Sequence, residues 1–104
     1  MQSPTIMSNR PTCVEVQGRW IAECIAKIDK NKIKYINPKP EVAKAWKEHI
    51  AGMCHRTLIP TARSTYIGGS IPGKVKEPVC YMAGIPQYAT EIRAAILWMD
   101  SRRL

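Results

Sequence analysis

The stretch RSTYIGGSIPGK, Arg63 to Lys74, carries a spacing associated with phosphate chemistry: Gly68, four residues, then Gly73-Lys74. That is most of a P-loop, whose backbone N–H groups and Lys hold a nucleotide phosphate. The chemistry also needs a Ser or Thr hydroxyl after the Lys for Mg²⁺, a buried strand before the loop and a helix after it. Here Val75 follows Lys74, and Thr61-Ala62-Arg63-Ser64 does not read as a buried strand. Pro78 falls where the early turns of the helix would sit. The match lacks its context, and the glycines and proline of this stretch need another explanation.

Other reactive residue types are sparse. Cys13, Cys24, Cys54 and Cys80 form no CxxC pair, and His49 and His55 are not at HxxxH spacing. These spacings argue against a zinc site. Cys24 falls on an apolar helix face and reads as a small core residue rather than a nucleophile. With reduced thiols, no apolar leader and no run of membrane-spanning length, the expected setting is cytoplasmic, with no membrane partner.

The chain has 104 residues and a net charge of +8, which bounds it to at most one domain with limited burial. The basic residues, among them Lys27, Lys30, Lys32, Lys34, Lys44, Lys47, Arg93, Arg102 and Arg103, are spread along the chain. They read as solvated helix faces and ends. Such a charge permits nucleic-acid binding. No RRM or helix-turn-helix signature accompanies it, so a nucleic-acid partner is disfavoured.

Three elements must position whatever site exists. Residues 1–12 read as an extended loop, punctuated by Pro4 and Pro11. Val16, Trp20, Cys24 and Ile28, with Ile21 and Ile25 beside them, predict a helix over about 13–30, stopped near Asn31. Gly18 weakens that helix by about 1 kcal/mol relative to Ala. Ile33-Lys34-Tyr35-Ile36 reads as a short strand or an extended link, and minor strand is expected near 33–36 and 79–82. Pro40 and Glu41 open a helix over about 40–55, with Val42, Trp46, Ile50 and Met53 as its stripe. A last helix over about 86–101 carries Tyr88, Ile92, Ala95, Ile96 and Met99. Between the last two lies a segment of no period, 57–78, too long for a plain connection in a small domain. The fold class is therefore mainly α with short β segments, and its apolar stripes look like pieces of a larger fold.

The order of these features resembles the flavin-dependent Baeyer–Villiger monooxygenases. SPTIMSNRP, Ser3 to Pro11, resembles that family's S-P-S-x-L-S-N-M-P. Arg19-Trp20-Ile21-Ala22-Glu23-Cys24-Ile25 resembles its V-E-W-I-A-D-x-I helix. Pro38-Lys39-Pro40-Glu41 followed by Trp46 resembles P-T-P-E-A-E-x-x-W. Thr57 to Tyr66 and Gly68 to Lys74 resemble T-L-x-P-T-A-x-S-W-Y-x-G-A-N-I-P-G-K. Tyr81-Met82-Ala83-Gly84 and Tyr88 resemble Y-V-G-G and a following Tyr. The five matches are collinear and cover about residues 3–98.

The resemblance implies the C-terminal part of the α/β FAD-binding domain of a flavoprotein with two dinucleotide-binding domains. The whole chain, 1–104, would be one partial domain. Residues 57–78 would be the mobile control loop that folds over bound NADP, and this would account for RSTYIGGSIPGK. The implied activity is FAD- and NADPH-dependent insertion of oxygen next to a ketone carbonyl, giving an ester or lactone. The implied partners are a small ketone and the remainder of the flavoprotein. Ser8 and Asn9 match the family's flavin-edge Ser-Asn, and Arg10 stands in place of its Met. Ser64 matches, Thr65 stands where the family has a Trp against NADP, and Ser70 replaces an Asn. No GxGxxG unit occurs in the sequence. Such turns let a backbone approach a pyrophosphate, so the chain alone is expected to bind neither cofactor and to be inactive. The alternatives are a stand-alone basic binding module and a non-enzymatic truncated remnant.

Overall fold

Asn9 begins the first helix: its side-chain Oδ1 accepts from the Thr12 N–H at 3.2 Å, and Pro11 occupies the first turn, where no backbone donor is needed. In this computed structural model, which describes residues 3, 4 and 8–101 (for 98–101 the backbone only), α1 runs Arg10–Lys30. It therefore starts earlier than the apolar period predicts. Residues 10–12 are helix, not loop, because Pro11 sits at a position that tolerates it. Asn31 ends the helix as expected, donating its backbone N–H to Lys27 O at 3.1 Å.

Helix α2 spans Pro40–His55, with Pro40 in the first turn and Glu41 at the positive end of the helix. Helix α3 spans Ile85–Ser101 and is entered through Gly84, whose φ of 83° suits a residue without a Cβ. Met99, predicted on its stripe, and Trp98 have side chains outside the described residues.

The two predicted strands do not form. Residues 33–36 are irregular, and among the described residues 34–38 have no hydrogen-bond partner. A strand needs a neighbour to take its N–H and C=O groups, and nothing here lies beside this segment. Near 79–82 there is a single parallel bridge, Ser3 with Cys80, and the Tyr81 N–H donates to Ser3 O at 3.2 Å. The fold is mainly helical, and its β content among the described residues is that one bridge.

Tyr81 is the centre of the core. It is 1% exposed and packs with Ile50, Met53 and Tyr88. Its ring stacks on Trp46 at 5.9 Å and meets Tyr88 edge-on at 5.1 Å. Helix α1 packs against α3, where the Trp20 indole N–H donates to Ile92 O at 2.6 Å. Cys13 and Cys24 are buried on α1, so Cys24 is the core residue the sequence suggests. Burial pushes the Cys13 thiol up from its ordinary range, which makes it a poor nucleophile.

A polar tie joins α2 to α3. His49 Nε2 lies 3.1 Å from both Glu91 carboxylate oxygens, and Gln87 Nε2 donates to Glu91 Oε1 at 3.0 Å. The Tyr81 hydroxyl is buried with no partner in hydrogen-bond geometry, yet it is close enough to Glu91 to feel its charge. Burial first, and that charge second, push its ionisation well above the ordinary range. For Glu91, burial acts upward, but the hydrogen bonds with Gln87 and His49, with the Tyr81 hydroxyl nearby, outweigh it and hold the carboxyl below its usual value.

That balance predicts an acid sensitivity. A carboxyl lowered in the folded state contributes stability above its unfolded value, near 4.5, and loses it as pH falls through the lower folded value. The thermal midpoint, followed by circular dichroism, should therefore drop on acidification below that point. Glu91→Gln should flatten the drop, and an unaltered profile would mean that this tie contributes nothing.

Candidate functional site

The five residues singled out from the sequence fall at two places. Ser8, half-buried, and Asn9 and Arg10, both exposed, form the entry to α1. Asn9 is not free: its Oδ1 accepts from the Thr12 N–H and lies 3.2 Å from the Thr12 hydroxyl. Its C=O accepts from Cys13 N–H at 3.0 Å. The Arg10 N–H, at the first helical position, has no partner among the described residues. It lies at the positive end of a 21-residue helix, beside an exposed guanidinium.

Ser64 and Thr65 belong to segment 57–78, which folds tightly. Two short 3₁₀ turns, Ile59–Thr61 and Thr65–Ile67, shape it. Ser64 Oγ accepts from the Tyr66 N–H at 3.2 Å, and its C=O accepts from Gly69 N–H at 2.9 Å. Thr65 is exposed, and its C=O accepts from Gly68 N–H at 3.1 Å. The returning segment of the loop is clamped by Glu77 N–H to Ile67 O at 3.0 Å and Val79 N–H to Tyr66 O at 2.9 Å. Ile67, 3% exposed, plugs the loop into the protein. Outside, Lys47 Nζ meets Glu77 at 2.7 Å, an exposed pair of small energetic weight.

The glycines have specific jobs here. Gly68 has φ 71°, in the left-handed region, and a Cβ on Gly69 would lie 3.3 Å from Ser64 N and O. The Lys74 side chain lies over Gly68, with its Cδ 3.3 Å from where a Cβ would stand. This arrangement bears no resemblance to a phosphate cradle: the loop closes on itself around Ser64 and the lysine stem covers the turn.

Helix α2 contacts the first 3₁₀ turn, which contacts the second. Among the described residues, α1 contacts neither turn, so the chain does not gather the five residues into one site. A cleft of about 330 Å³ opens between α1, α2 and α3, and none of the five borders it. What the sequence reading missed is that two of its candidates are structural caps. The signal was available: Asn9 with Thr12 three residues on and Pro11 between them is a helix-entry pattern. The Gln87–Glu91 pair at helical spacing was equally legible, but its partner His49 comes from another helix.

No protein-family model matches the chain. The FAD-binding monooxygenase acrE of Aspergillus aculeatus is 48% identical to it over 94 residues, 90% of this chain and 16% of that protein. Cyclohexanone 1,2-monooxygenase of Acinetobacter sp is 31% identical over 80% of this chain and 15% of its own length. The crystal structure of cyclohexanone monooxygenase from Rhodococcus sp. Phi1 bound to NADP⁺ superimposes with a TM-score of 0.84. It is 27% identical and covers 98% of this chain and 18% of that one. This chain is homologous to the FAD-binding, Baeyer–Villiger monooxygenases. It spans about one-sixth of the relatives' length.

The relatives include FAD-binding and NADP⁺-bound enzymes, and the exposed groups of this chain suit such ligands unevenly. The unpartnered Arg10 N–H at a helix N-terminus suits an electron-rich ring edge or an anion. The Asn9 amide oxygen and the Ser64 hydroxyl are already engaged as caps. Thr65 presents an exposed side chain free to meet a ligand.

The loop geometry makes a direct prediction for this family segment. Gly68→Ala must adopt φ 71° with a Cβ against Lys74, and should cost about 1–2 kcal/mol. Gly52→Ala, in open space on α2, should instead gain up to about 1 kcal/mol. Urea unfolding of the two variants checks the opposite signs.

Proposed function

We propose that this chain is the C-terminal part of the FAD domain of an FAD- and NADPH-dependent monooxygenase that inserts oxygen beside a ketone carbonyl. The observation that carries the reading is the continuous match to acrE, 48% identical over 94 residues. The fold agreement with an NADP⁺-bound cyclohexanone monooxygenase supports it.

In this reading the chain contributes positioning. The backbone N–H of Arg10, with Ser8 and Asn9 beside it, approaches the flavin edge. The loop over 57–78, carrying Ser64 and Thr65, closes on the nicotinamide cofactor and excludes water. When bound, the flavin supplies the oxygen-activating chemistry. Ser64 acts through the backbone it caps, whereas Thr65 faces the ligand. The substrate is a small ketone and the partner is the remainder of the flavoprotein. A cytoplasmic setting accompanies this, since the four cysteines are free thiols. No helix among the described residues is long and apolar enough to cross a membrane.

The chain by itself should bind no FAD and oxidise no NADPH. Grafted in place of the matching segment of acrE, it should restore stoichiometric flavin, read from the absorbance spectrum after dialysis. A yellow isolated chain, or a folded graft without flavin, would overturn the reading.

Thr65 gives a sharper test in that graft. A Trp at this exposed position adds an aromatic contact on the order of 1 kcal/mol, about a fivefold shift towards the closed loop. Thr65→Trp should tighten NADP retention and lower the fraction of NADPH consumed that emerges as hydrogen peroxide. If neither quantity moves, Thr65 does not face the nicotinamide cofactor.

A further inference from the structure

Helix α1 has two apolar faces, and the chain uses one. Cys13, Val16, Trp20 and Cys24 lie on the face turned towards α3 and the core. At about 100° per residue, Val14, Gly18, Ile21 and Ile25 fall within about 60° of one another on a different face. Val14 is 66% exposed, Ile21 51% and Ile25 59%. Glu15, Arg19 and Glu23 occupy the remaining side, and the second apolar arc continues from the core face by way of Gln17 and Ile28.

Two further observations show that this face expects an occupant. Gly18 lies in its middle, and a Cβ there would meet nothing within 4 Å. Glycine is the weakest helix former short of proline, so nothing inside this chain is gained by it. A backbone packed closely across the helix would be. The face also runs into the cleft between the helices, since Ile21 lines both. Trp20, Trp46, Tyr88 and Ile92 make that cleft largely apolar, and Ser3 and Gln17 line it too.

We infer that this face, from Val14 through Gly18 to Ile25 and on into the Ser3–Trp20–Trp46 cleft, is the seat of the rest of a flavin monooxygenase polypeptide. The seated element presents apolar side chains and runs its backbone close to Gly18. The choice of occupant comes from coverage: the homology takes in 90% of this chain but 16% of acrE, and the fold match 98% of this chain but 18% of its counterpart. The chain's own shape agrees. Its radius of gyration is 15.7 Å, where a self-contained domain of about 100 residues has about 13 Å. The inference rests on the proposed reading of the chain as part of such a flavoprotein.

Gly18→Leu separates the possibilities, because its effect should reverse sign with context. In the isolated chain it fills open space with a better helix former and should raise the thermal midpoint. In the acrE graft it should lower the midpoint by several degrees, because it blocks the close approach. The same sign for Gly18→Leu in both contexts would overturn the inference. So would a concentration-dependent dimer of the isolated chain that Gly18→Leu abolishes while the graft is unaffected, since the face would then belong to a second copy. The docking readout is the midpoint, not flavin: a cooperative graft without flavin sinks the cofactor reading alone, and the Gly18 comparison still decides this one.

Discussion

The burial of Tyr81 organises this structure. It comes from an irregular segment, not from a helix, yet it is the largest of the fully buried side chains. Its backbone N–H is fixed by Ser3 and its ring is held between Trp46 of α2 and Tyr88 of α3. One residue thus couples the N-terminal segment to two helices far apart in sequence. The cost is a hydroxyl with no proper partner, kept neutral by burial and by the nearby Glu91 carboxylate. A core assembled around an irregular segment depends on the helices converging on it, which explains why the α2–α3 tie through His49 and Glu91 sits directly beside Tyr81.

The loop over 57–78 illustrates how irregular backbone is made stable without a strand or helix. Its polar groups are satisfied locally, by the Ser64 side chain and C=O and by two bonds from the returning segment to Tyr66 and Ile67. The glycines provide the left-handed turn and the close approach to Ser64. It meets the rest of the protein through the Thr57 bonds to Cys54, the contact of its first 3₁₀ turn with α2, an exposed ion pair to α2 and the buried Ile67.

Much of the site lay in the sequence as order, not as geometry. Five collinear motifs carried the family, and the homology over nine-tenths of the chain agrees with them. The same motifs could not say what each side chain does. Asn9 and Ser64 look like ligand contacts in a string of letters. In three dimensions each has its oxygen turned onto its own backbone, where it satisfies a donor that a helix or turn leaves open. The N-terminal donor of Arg10 and the exposed Thr65 are what remain available. Their separation within this chain follows from the packing of α1 on α3 and of the loop on α2, which no local pattern encodes.

The sequence by itself determined the three helices, since apolar spacing, Pro40, Asn31 and Gly84 act through local geometry. It also determined which of their faces are apolar. Only the tertiary structure decided which apolar faces are used. Trp20 and Cys24 turn towards α3 and the core, while Ile21 and Ile25, equally apolar, stay in solvent. It also decided against strands at 33–36 and 79–82. A strand is a relation between two segments, and here residues 34–38 have no hydrogen-bond partner among the described residues, while Cys80 pairs with Ser3 in a single bridge. Helices close their hydrogen bonds within themselves and so can be read one segment at a time. Sheets, docking faces and cofactor sites need the other partner to be present.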